Sequence, residues 1–331
     1  MTSCNNAERS TKSGKLLSST PTARATCINL KNLTNCPVCE SERFSLAFSA
    51  PTTRGLDQRQ WLVSECSACG HQFMNPQPSQ RELEFYYNSE YDAYDPMHGS
   101  EDSDDREVEQ AKLTGKIRHI PLPAGLRLLD VGCGAGWFLR ICKKLGAIEQ
   151  GVEPSAYGSE IAQKQGLRVF HGTLEEYVEQ APTGAQFDII TANHVVEHLH
   201  DPVKTLHTMK GLLAPRGYLW IAVPNAAYPI CRALKGRWHS SDLPYHLMHF
   251  TPESMAEAGS RAGLKVQRQA TESMVPQVAA SIGLFLRYRC FLPRRLTQHF
   301  GAPLDFASQW YARRVDAKVN GEAVLTEFVA D

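Results

Sequence analysis

The chain has 331 residues, 42% of them hydrophobic and 21% charged, and its 35 basic side chains balance 35 acidic ones. This length can bury one large hydrophobic core, with or without a small satellite domain. Balanced charge argues against nucleic acid or an anionic membrane as a general partner, and no apolar run reaches the ~18 residues that a membrane span needs.

Residues 1–33 form a polar segment rich in serine and threonine, without the apolar core of a secretion signal. We expect a disordered tail, and its small excess of basic residues leaves a transit peptide open as an alternative. Because ten cysteines occur without a secretion signal, we expect a cytoplasmic protein whose thiols are reduced and bind metal.

Two CxxC pairs, CPVC and CSAC, lie within residues 34–78, which we predict to form a small zinc ribbon. Four thiolates in two tight turns suit tetrahedral zinc, and because they close the coordination shell the metal is expected to be structural. A redox role is less consistent, since neither pair lies in a thioredoxin-like βαβ context. The predicted ligands are Cys36, Cys39, Cys66 and Cys69.

The same segment contains three arginines and four acidic residues, a net charge of −1. Phosphate binding needs basic side chains, so this balance argues against the ribbon as a reader of RNA. Its aromatic side chains fit a miniature core better than a platform for stacked bases.

Residues 79–109 are predicted to form a short helix with an aromatic continuation, FYYNSEYDAY, followed by an acidic linker that enters a helix near residues 105–119. We hypothesise that the ribbon holds this aromatic segment against the mouth of an acceptor site. The side chains concerned are Tyr86, Tyr87 and Tyr91.

From Leu126 onward, strand and helix patterns alternate, which predicts an α/β fold with a doubly wound, mostly parallel sheet. The predicted strands are LRLLDV, IEQGVE, LRVFH, FDIITAN and GYLWIAV, and a helix follows each of the first four. Two later strands, LKVQRQAT and AVLTEFVA, flank a helical insertion at about 275–320. We predict that residues 110–331 form one catalytic domain.

The segment LLDVGCGAGWF combines a buried strand, a glycine-rich turn and a helix start. Gly132, Gly134 and Gly136 let the backbone approach a ligand, and the helix N-terminus offers free N–H groups. Glu153 ends the next strand, where its carboxylate can accept hydrogen bonds from two ribose hydroxyls. The spacing differs from the GxGxxG of dinucleotide-binding proteins, so a nicotinamide dehydrogenase is a distant alternative.

On these motifs the chain resembles the class I S-adenosylmethionine-dependent methyltransferases, which implies a seven-stranded sheet and S-adenosylmethionine as cofactor. The resemblance places the glycine turn around the methionine part and Glu153 at the ribose. It also places HGTLEEY at the adenine and FDIITANHVVEHLHDP beside the methyl donor. The implied cofactor-binding residues are Asp130, Gly132, Gly134, Gly136, Glu153, Thr173, Leu174, Asn193 and His194.

The N-terminal part, from CPVC through CSACGHQFMNPQPSQRELEFYYNSEY, resembles a bacterial subgroup in which a zinc ribbon precedes such a domain. That subgroup includes sugar C-methyltransferases and enzymes of polysaccharide and natural-product pathways. The likeness implies O- or C-methylation of a small molecule or of a sugar or glycan precursor. An rRNA methyltransferase and a non-catalytic cofactor-binding scaffold remain alternatives. Glu40 occupies a position where a glycine often follows the first cysteine pair.

Methyl transfer to a hydroxyl or a carbon acid needs a base, and histidine has a suitable pKa. We predict His246 as the first candidate, with His198 and His249 as the others. An amine acceptor needs no base.

In the helical insertion, Arg294 and Arg295 are among several arginines that are expected to attract a phosphorylated acceptor or to contact an anionic membrane surface.

Overall fold

The computed structural model describes residues 30–53, 59–86, 108, 120, 122, 124–182, 184–293, 295 and 302–331. Several predictions fall outside these residues: the tail up to residue 29, most of the acidic linker, Tyr87, Tyr91 and Arg294. The side chain of Tyr86 lies outside them as well, so the hypothesis of an aromatic acceptor mouth stays a prediction.

The strands are numbered in chain order. They are β1 (Leu30–Lys31), β2 (Phe44–Pro51), β3 (Gln60–Cys66), β4 (Gln72–Met74), β5 (Gln77–Pro78), β6 (Arg127–Val131), β7 (Ile148–Glu153), β8 (Val169–His171), β9 (Phe187–Asn193), β10 (Leu213–Pro224), β11 (Met248–His249), β12 (Leu264–Glu272) and β13 (Ala323–Ala330).

The α-helices are numbered in the same way. They are α1 (Gln80–Tyr86), α2 (Trp137–Lys144), α3 (Ala156–Lys164), α4 (Leu174–Gln180), α5 (Pro202–Gly211), α6 (Pro229–Leu234), α7 (Pro252–Arg261), α8 (Val275–Arg289) and α9 (Ala302–Asp316). None of the helices in the described ranges has the length and apolar character needed to cross a membrane.

Within the described residues, seven strands form the main sheet in the order β12-β13-β10-β9-β6-β7-β8. The pairs from β10 through β8 are parallel, whereas β13 is antiparallel to both of its neighbours. This arrangement confirms the predicted doubly wound, mostly parallel sheet. The carboxyl ends of β6, β7, β8 and β9 therefore meet along one edge, where ligands bind in such folds.

Strands β1 and β5 pair with each other, while β2, β3 and β4 form a second sheet whose order in the described chain is β11-β4-β3-β2. Its edge strand β11 belongs to the C-terminal half of the chain and pairs Met248 with Phe73 and His249 with Gln72. Trp61, Phe73 and Met74 are buried in the same hydrophobic cluster as side chains of the main sheet. The cysteine-bearing segment is thus packed against the rest of the protein over a continuous core.

Helix α5 ends earlier than the sequence pattern indicates. The pattern PVKTLHTMKGLLAP predicts a helix up to its second proline, but α5 ends at Gly211 and Leu213 already pairs with Phe187. Arg216, with φ at +68°, turns the chain before the main run of β10 begins at Tyr218. Pairing to the neighbouring strand overrides the helical pattern of these residues.

The helical insertion predicted near residues 275–320 corresponds to α8 and α9, which pack against each other. Glu322, directly before β13, is buried and contacts helix α8 of this insertion. Ser281 Oγ donates to Glu322 Oε1 at 2.6 Å, and Trp238 Nε1 donates to Ser281 Oγ at 3.0 Å. Burial raises the pKa of Glu322 from 4.5 to about 7.

Because the folded chain holds the Glu322 proton where the unfolded chain has lost it, this residue lowers stability as pH rises from about 4.5 to 7. In the Glu322→Gln variant this loss is absent. We expect the free energy of unfolding of the variant, relative to wild type, to increase by roughly 2 kcal/mol between pH 5 and pH 8. Urea denaturation at both pH values measures the difference, and a pH-independent difference would contradict the prediction.

Candidate active site

The glycine turn connects β6 to α2 at the carboxyl edge of the sheet. Gly132, Gly134 and Gly136 have φ values of +69°, +55° and +84°, a region that side chains with a Cβ rarely adopt. Helix α2 begins at Trp137, directly after the turn, so its first N–H groups face the edge where the strands end. The turn therefore has the conformation that close approach of a ligand requires.

Gly136 is the tightest point of this turn. A Cβ at Gly136 would overlap Leu167 Cδ1 and lie 2.9 Å from the Cβ of Ala162. We expect Gly136→Ala to lower the free energy of unfolding by about 2–4 kcal/mol, from both backbone strain and overlap. Gly166, at φ +73° with no atom within 4 Å, is a matched control.

The Gly166→Ala variant has the backbone strain alone and is expected to lose about 1 kcal/mol. Urea denaturation of both variants gives the comparison. Equal losses would show that contact with α3 and Leu167 does not restrict Gly136.

Glu153, the last residue of β7, has a carboxylate that organises the turn. Its Oε2 accepts from the backbone N–H of Gly134 and its Oε1 from that of Ser155, both at 2.8 Å. Burial raises the pKa of this carboxyl group, and the two backbone donors oppose the rise. A carboxylate has about four lone-pair positions, so two remain for hydroxyl donors of a ligand.

Asp130 lies on β6, next to the turn, and is 3% exposed. Thr191 on the neighbouring strand β9 donates its hydroxyl to Asp130 Oδ1 at 2.6 Å. This bond joins the two strands whose ends flank the site. Asp130 therefore supports the turn from within the sheet.

Thr173 and Leu174 follow β8, and the structure gives them defined local roles. Thr173 caps α4 in a reciprocal pair with Glu176, which accepts the Thr173 N–H at 2.7 Å. The Leu174 side chain is buried in the main core beside Tyr177. Any contact of these residues with the adenine involves their surface-facing atoms and stays a prediction.

Asn193 ends β9 and is 8% exposed, and neither Oδ1 nor Nδ2 has a hydrogen-bond partner among the described residues. Leaving a buried amide unsatisfied costs about 1–3 kcal/mol, so this group is suited to a ligand. His194 follows with φ at +53°, and its half-exposed ring lies with Nδ1 at 3.1 Å from Glu197 Oε1.

Two of the predicted base candidates meet after β9. The ring centroids of His198 and His246 are 4.7 Å apart, and His246 Nε2 lies 4.0 Å from Glu197 Oε1. Burial, followed by the neighbouring histidines His198, His249 and His194, lowers the pKa of His246 well below its usual value. His246 is therefore neutral at pH 7, and in this buried environment it is a weaker base than a free imidazole.

Glu197 was not predicted as a site residue. It lies in the 3-10 turn Val196–His198, is 1% exposed, and accepts no hydrogen bond at Oε2 from the described chain. The sequence signal available was its position next to His198, directly after a strand that ends in the site.

His249, the third base candidate, lies on β11 in the N-terminal sheet. Its ring packs edge-on against Phe48 at a centroid distance of 6.3 Å, and burial lowers its pKa to about 4. The structure places it against another strand of the same sheet, since Phe48 lies on β2. His71, also buried, contacts Ser254 and Met248 and lies outside the cysteine cluster.

The four predicted zinc ligands form one cluster, with all four Sγ atoms within 4.8 Å of one another. The Cys36–Cys69 and Cys39–Cys66 Sγ distances are 3.7 and 3.6 Å. Four sulfur atoms bound tetrahedrally to zinc at 2.3 Å would be about 3.8 Å apart. The cluster thus has nearly the spacing of a zinc site.

The two cysteine turns have the same backbone form. Glu40 N–H donates to Cys36 O and Gly70 N–H to Cys66 O, both at 2.9 Å. Glu40 has φ at +61° and Gly70 at +70°. Glu40 therefore adopts the conformation of the glycine that it replaces, and its carbonyl accepts from Asn35 Nδ2 at 2.9 Å.

Comparison with known proteins gives consistent matches. A family model described as a methyltransferase domain matches residues 105–269. A ubiquinone biosynthesis O-methyltransferase from Rhodopseudomonas palustris is 31% identical over 175 residues, which are 50% of this chain and 68% of that protein. A protein of the same name from Histophilus somni is 30% identical over 150 residues, 39% of this chain and 63% of that protein. The chain spans about two thirds of the length of each of these two relatives.

Among solved structures, an S-adenosylmethionine-dependent methyltransferase from Archaeoglobus fulgidus is 19% identical, with a TM-score of 0.45 and coverage of 67% of this chain and 93% of that one. The family model, the R. palustris relative, the strand order and the glycine turn agree with one another. The chain therefore belongs to the class I S-adenosylmethionine-dependent methyltransferases.

Proposed function

We propose that the protein transfers a methyl group from S-adenosylmethionine to an oxygen of a small-molecule acceptor, such as a sugar or glycan precursor. The observation that carries this proposal is the arrangement at the ends of β6, β7 and β9. There the buried Glu153 carboxylate holds the glycine turn, and Asn193 presents an unsatisfied amide.

Glu153 would accept hydrogen bonds from the ribose hydroxyls, and the glycine turn would surround the methionine part. Asn193 and His194 would lie beside the methyl donor. The bound cofactor supplies an activated methyl group, so the protein mainly aligns the acceptor and excludes water.

An acceptor hydroxyl must lose its proton, and the residues after β9 are suited to remove it. His246 is held by a hydrogen bond between Nδ1 and the carbonyl of Ser240 at 2.9 Å, and His198 by one between Nδ1 and the carbonyl of Tyr245 at 3.0 Å. A carbonyl only accepts, so each neutral ring carries its lone pair on Nε2. An amine acceptor would need no base, so the presence of these two imidazoles favours a hydroxyl acceptor over an amine. The relatives named above are O-methyltransferases by name.

The cysteine cluster would bind one structural zinc ion. The spacing of the four Sγ atoms supports this, and four thiolates leave no open coordination position for catalysis. We place the zinc outside the chemistry of methyl transfer.

The test is incubation of the protein with ¹³C-methyl-labelled S-adenosylmethionine and fractionated extract of cells that make it. We expect label in a small-molecule or glycan-precursor fraction, at the ¹³C chemical shift of an O–CH₃ group. The Glu153→Gln variant, which lacks the ribose-binding carboxylate, serves as the control and should leave the fractions unlabelled.

Other outcomes would contradict the proposal in distinct ways. Label in RNA would favour the rRNA methyltransferase. Cofactor binding without label in any fraction would favour a non-catalytic scaffold. A C–CH₃ shift would retain the small-molecule acceptor and overturn O-methylation.

A further inference from the structure

The helix pair α8 and α9 exposes large hydrophobic side chains to solvent. In the described residues, twelve large hydrophobic side chains are exposed, and six of them lie between residues 274 and 319. Phe291 is 87% exposed, Phe306 74% and Trp310 58%. Single exposed apolar side chains are ordinary, but a concentration of them in one segment marks an interaction surface.

The solvent-facing side of α9 combines aromatic and cationic side chains. Four exposed side chains follow the spacing i, i+4, i+7 and i+8, which places them on one face of the helix. They are Phe306, Trp310, Arg313 and Arg314. The opposite face is buried and contains Ser308, Ala312 and Val315. The Arg314 guanidinium lies 5.6 Å from the centre of the Trp310 ring, so the charge and the aromatic surface are adjacent.

The same segment is strongly basic, although the chain as a whole has no net charge. Residues 275–320 contain seven lysines and arginines against two aspartates, a net charge of +5. Asp316 is half-buried and accepts from Ser273 Oγ at 2.8 Å and from the Ser273 N–H at 3.1 Å, so its charge faces the protein. Asp305 is the exposed acid. The surface therefore favours a partner with negative charge.

The combination of aromatic and cationic side chains distinguishes between possible partners. A soluble phosphorylated acceptor would pair with the arginines and leave Phe291, Phe306 and Trp310 in water. A second copy of the chain, seated on the same face, would bring two surfaces of net charge +5 together, and these repel. An anionic lipid surface accommodates both features, because aromatic side chains enter the headgroup region and arginines pair with lipid phosphates.

We propose that α8 and α9 bind the protein peripherally to the surface of an anionic phospholipid membrane. Phe291, Phe306 and Trp310 enter the headgroup region, and Arg313 and Arg314 pair with lipid phosphates. None of the helices in the described part of the chain is long and apolar enough to span a bilayer, so this contact is interfacial.

The helix pair leaves and rejoins the main sheet at the edge that carries the candidate active site. Glu272, at the end of β12, pairs with Ala323 of β13, which pairs with Pro224 at the carboxyl end of β10. Asn193 ends the neighbouring parallel strand at this edge. The membrane contact itself does not depend on the proposed function.

The experiment is flotation of the full-length protein with phosphatidylcholine vesicles, with and without about 30% phosphatidylglycerol. We expect an affinity for the anionic vesicles at least about tenfold higher than for the neutral ones, because each basic side chain near such a surface contributes to binding. Raising KCl from about 0.1 to about 0.5 M should weaken the binding to anionic vesicles at least about tenfold, since salt screens these charges.

Trp310 provides a local signal. It is exposed, whereas Trp61, Trp220 and Trp238 are buried. Its fluorescence should shift to shorter wavelength on addition of anionic vesicles and be quenched by brominated lipid. Trp310→Phe keeps an aromatic ring and should retain binding while losing most of the quenching.

Two double variants test the two components of the surface separately. Phe306→Ser with Trp310→Ser removes the aromatic side chains, and Arg313→Gln with Arg314→Gln removes two charges. Each is expected to weaken binding to anionic vesicles at least about tenfold. All four side chains are exposed, so the fold should be kept, and thermal unfolding by circular dichroism verifies this.

The matched controls change exposed side chains outside the helix pair. Leu46→Ser removes a side chain that is 60% exposed on β2, and Lys265→Gln removes an exposed charge on β12. Both should bind anionic vesicles as the wild type does.

Several outcomes would overturn the inference. One is a wild type that stays unbound or binds neutral vesicles equally well, and another is wild-type binding by both double variants. Release from the vesicles by glycerol 3-phosphate, beyond that caused by KCl of equal ionic strength, would assign the arginines to a soluble phosphate ester. A dimer that both double variants abolish, without vesicle binding, would assign the surface to a second copy of the chain.

Discussion

Replacing Glu153 with glutamine is expected to raise the Kd for S-adenosylmethionine about 100-fold, while the free energy of unfolding falls by about 1–3 kcal/mol because one backbone N–H loses its acceptor. A hydrogen bond to a charged group contributes about 1.5–3 kcal/mol, and the carboxylate is proposed to make two of them with the ribose. Glutamine has nearly the same shape and keeps one oxygen that can accept from Gly134 or Ser155. Isothermal titration calorimetry measures the affinity and urea denaturation the stability.

The matched control is Glu149→Gln, on the same strand and likewise nearly buried. Glu149 Oε2 accepts from Arg168 at 3.3 Å, and its Oε1 lies 3.7 Å from Lys143 Nζ, near the opposite end of β7. This variant should lose stability because it breaks these ion pairs, and should keep the affinity for S-adenosylmethionine. If Glu153→Gln bound the cofactor within threefold of wild type, Glu153 would not be the ribose ligand.

The geometry of the glycine turn and Glu153 was predictable because its signals are local. A glycine turn between a strand and a helix, and an acid at the end of the next strand, lie within about 25 residues of sequence. The parallel sheet then brings Gly134 and Glu153 together, as their 2.8 Å hydrogen bond shows. Asn193 was predicted from the family resemblance, which places the segment FDIITANHVVEHLHDP beside the methyl donor.

The acceptor side was less predictable because it depends on residues distant in sequence. Glu197 is buried by the segment around residue 246, and its backbone carbonyl accepts from the N–H of Leu247 at 2.9 Å. Nothing in the sequence around Glu197 indicates this pairing. The role of β11 was missed for a similar reason, since a strand of two residues has no detectable alternation.

Because β11 pairs with the cysteine-bearing sheet, we expect loss of the proposed zinc ion to lower the rate of methyl transfer strongly. Pairing of β11 with β4 ties His249 to Gln72, three residues from Cys69, and His246 lies three residues before His249. The backbone N–H of Met74 also donates to the carbonyl of Leu247 at 2.8 Å. The cysteine-bearing sheet therefore holds the segment that carries His246.

We expect Cys39→Ser to reduce bound zinc from about one ion per chain to nearly none, and to lower the Tm by at least about 10 °C. Structural zinc contributes several kcal/mol to folding, and 1 kcal/mol shifts the Tm of a chain this size by roughly 2–4 °C. Cys39 is only partly buried, so the loss reflects the metal more than side-chain packing. Zinc content by mass spectrometry and thermal unfolding by circular dichroism provide the measurements.

The Cys39→Ser variant also distinguishes an effect on cofactor binding from an effect on methyl transfer. The glycine turn follows β6 and Glu153 ends β7, both in the main sheet, whereas β11 belongs to the second sheet. Cofactor affinity should therefore stay near wild type at a temperature where Cys39→Ser is folded. Methyl transfer should fall at least about tenfold, because His246, which we propose as the base, would be displaced. Cys290→Ser removes an exposed thiol outside the cluster and should change neither zinc content nor rate. If Cys39→Ser lost zinc and kept the wild-type rate, the sheet would not position His246, and the zinc would stabilise only its own segment.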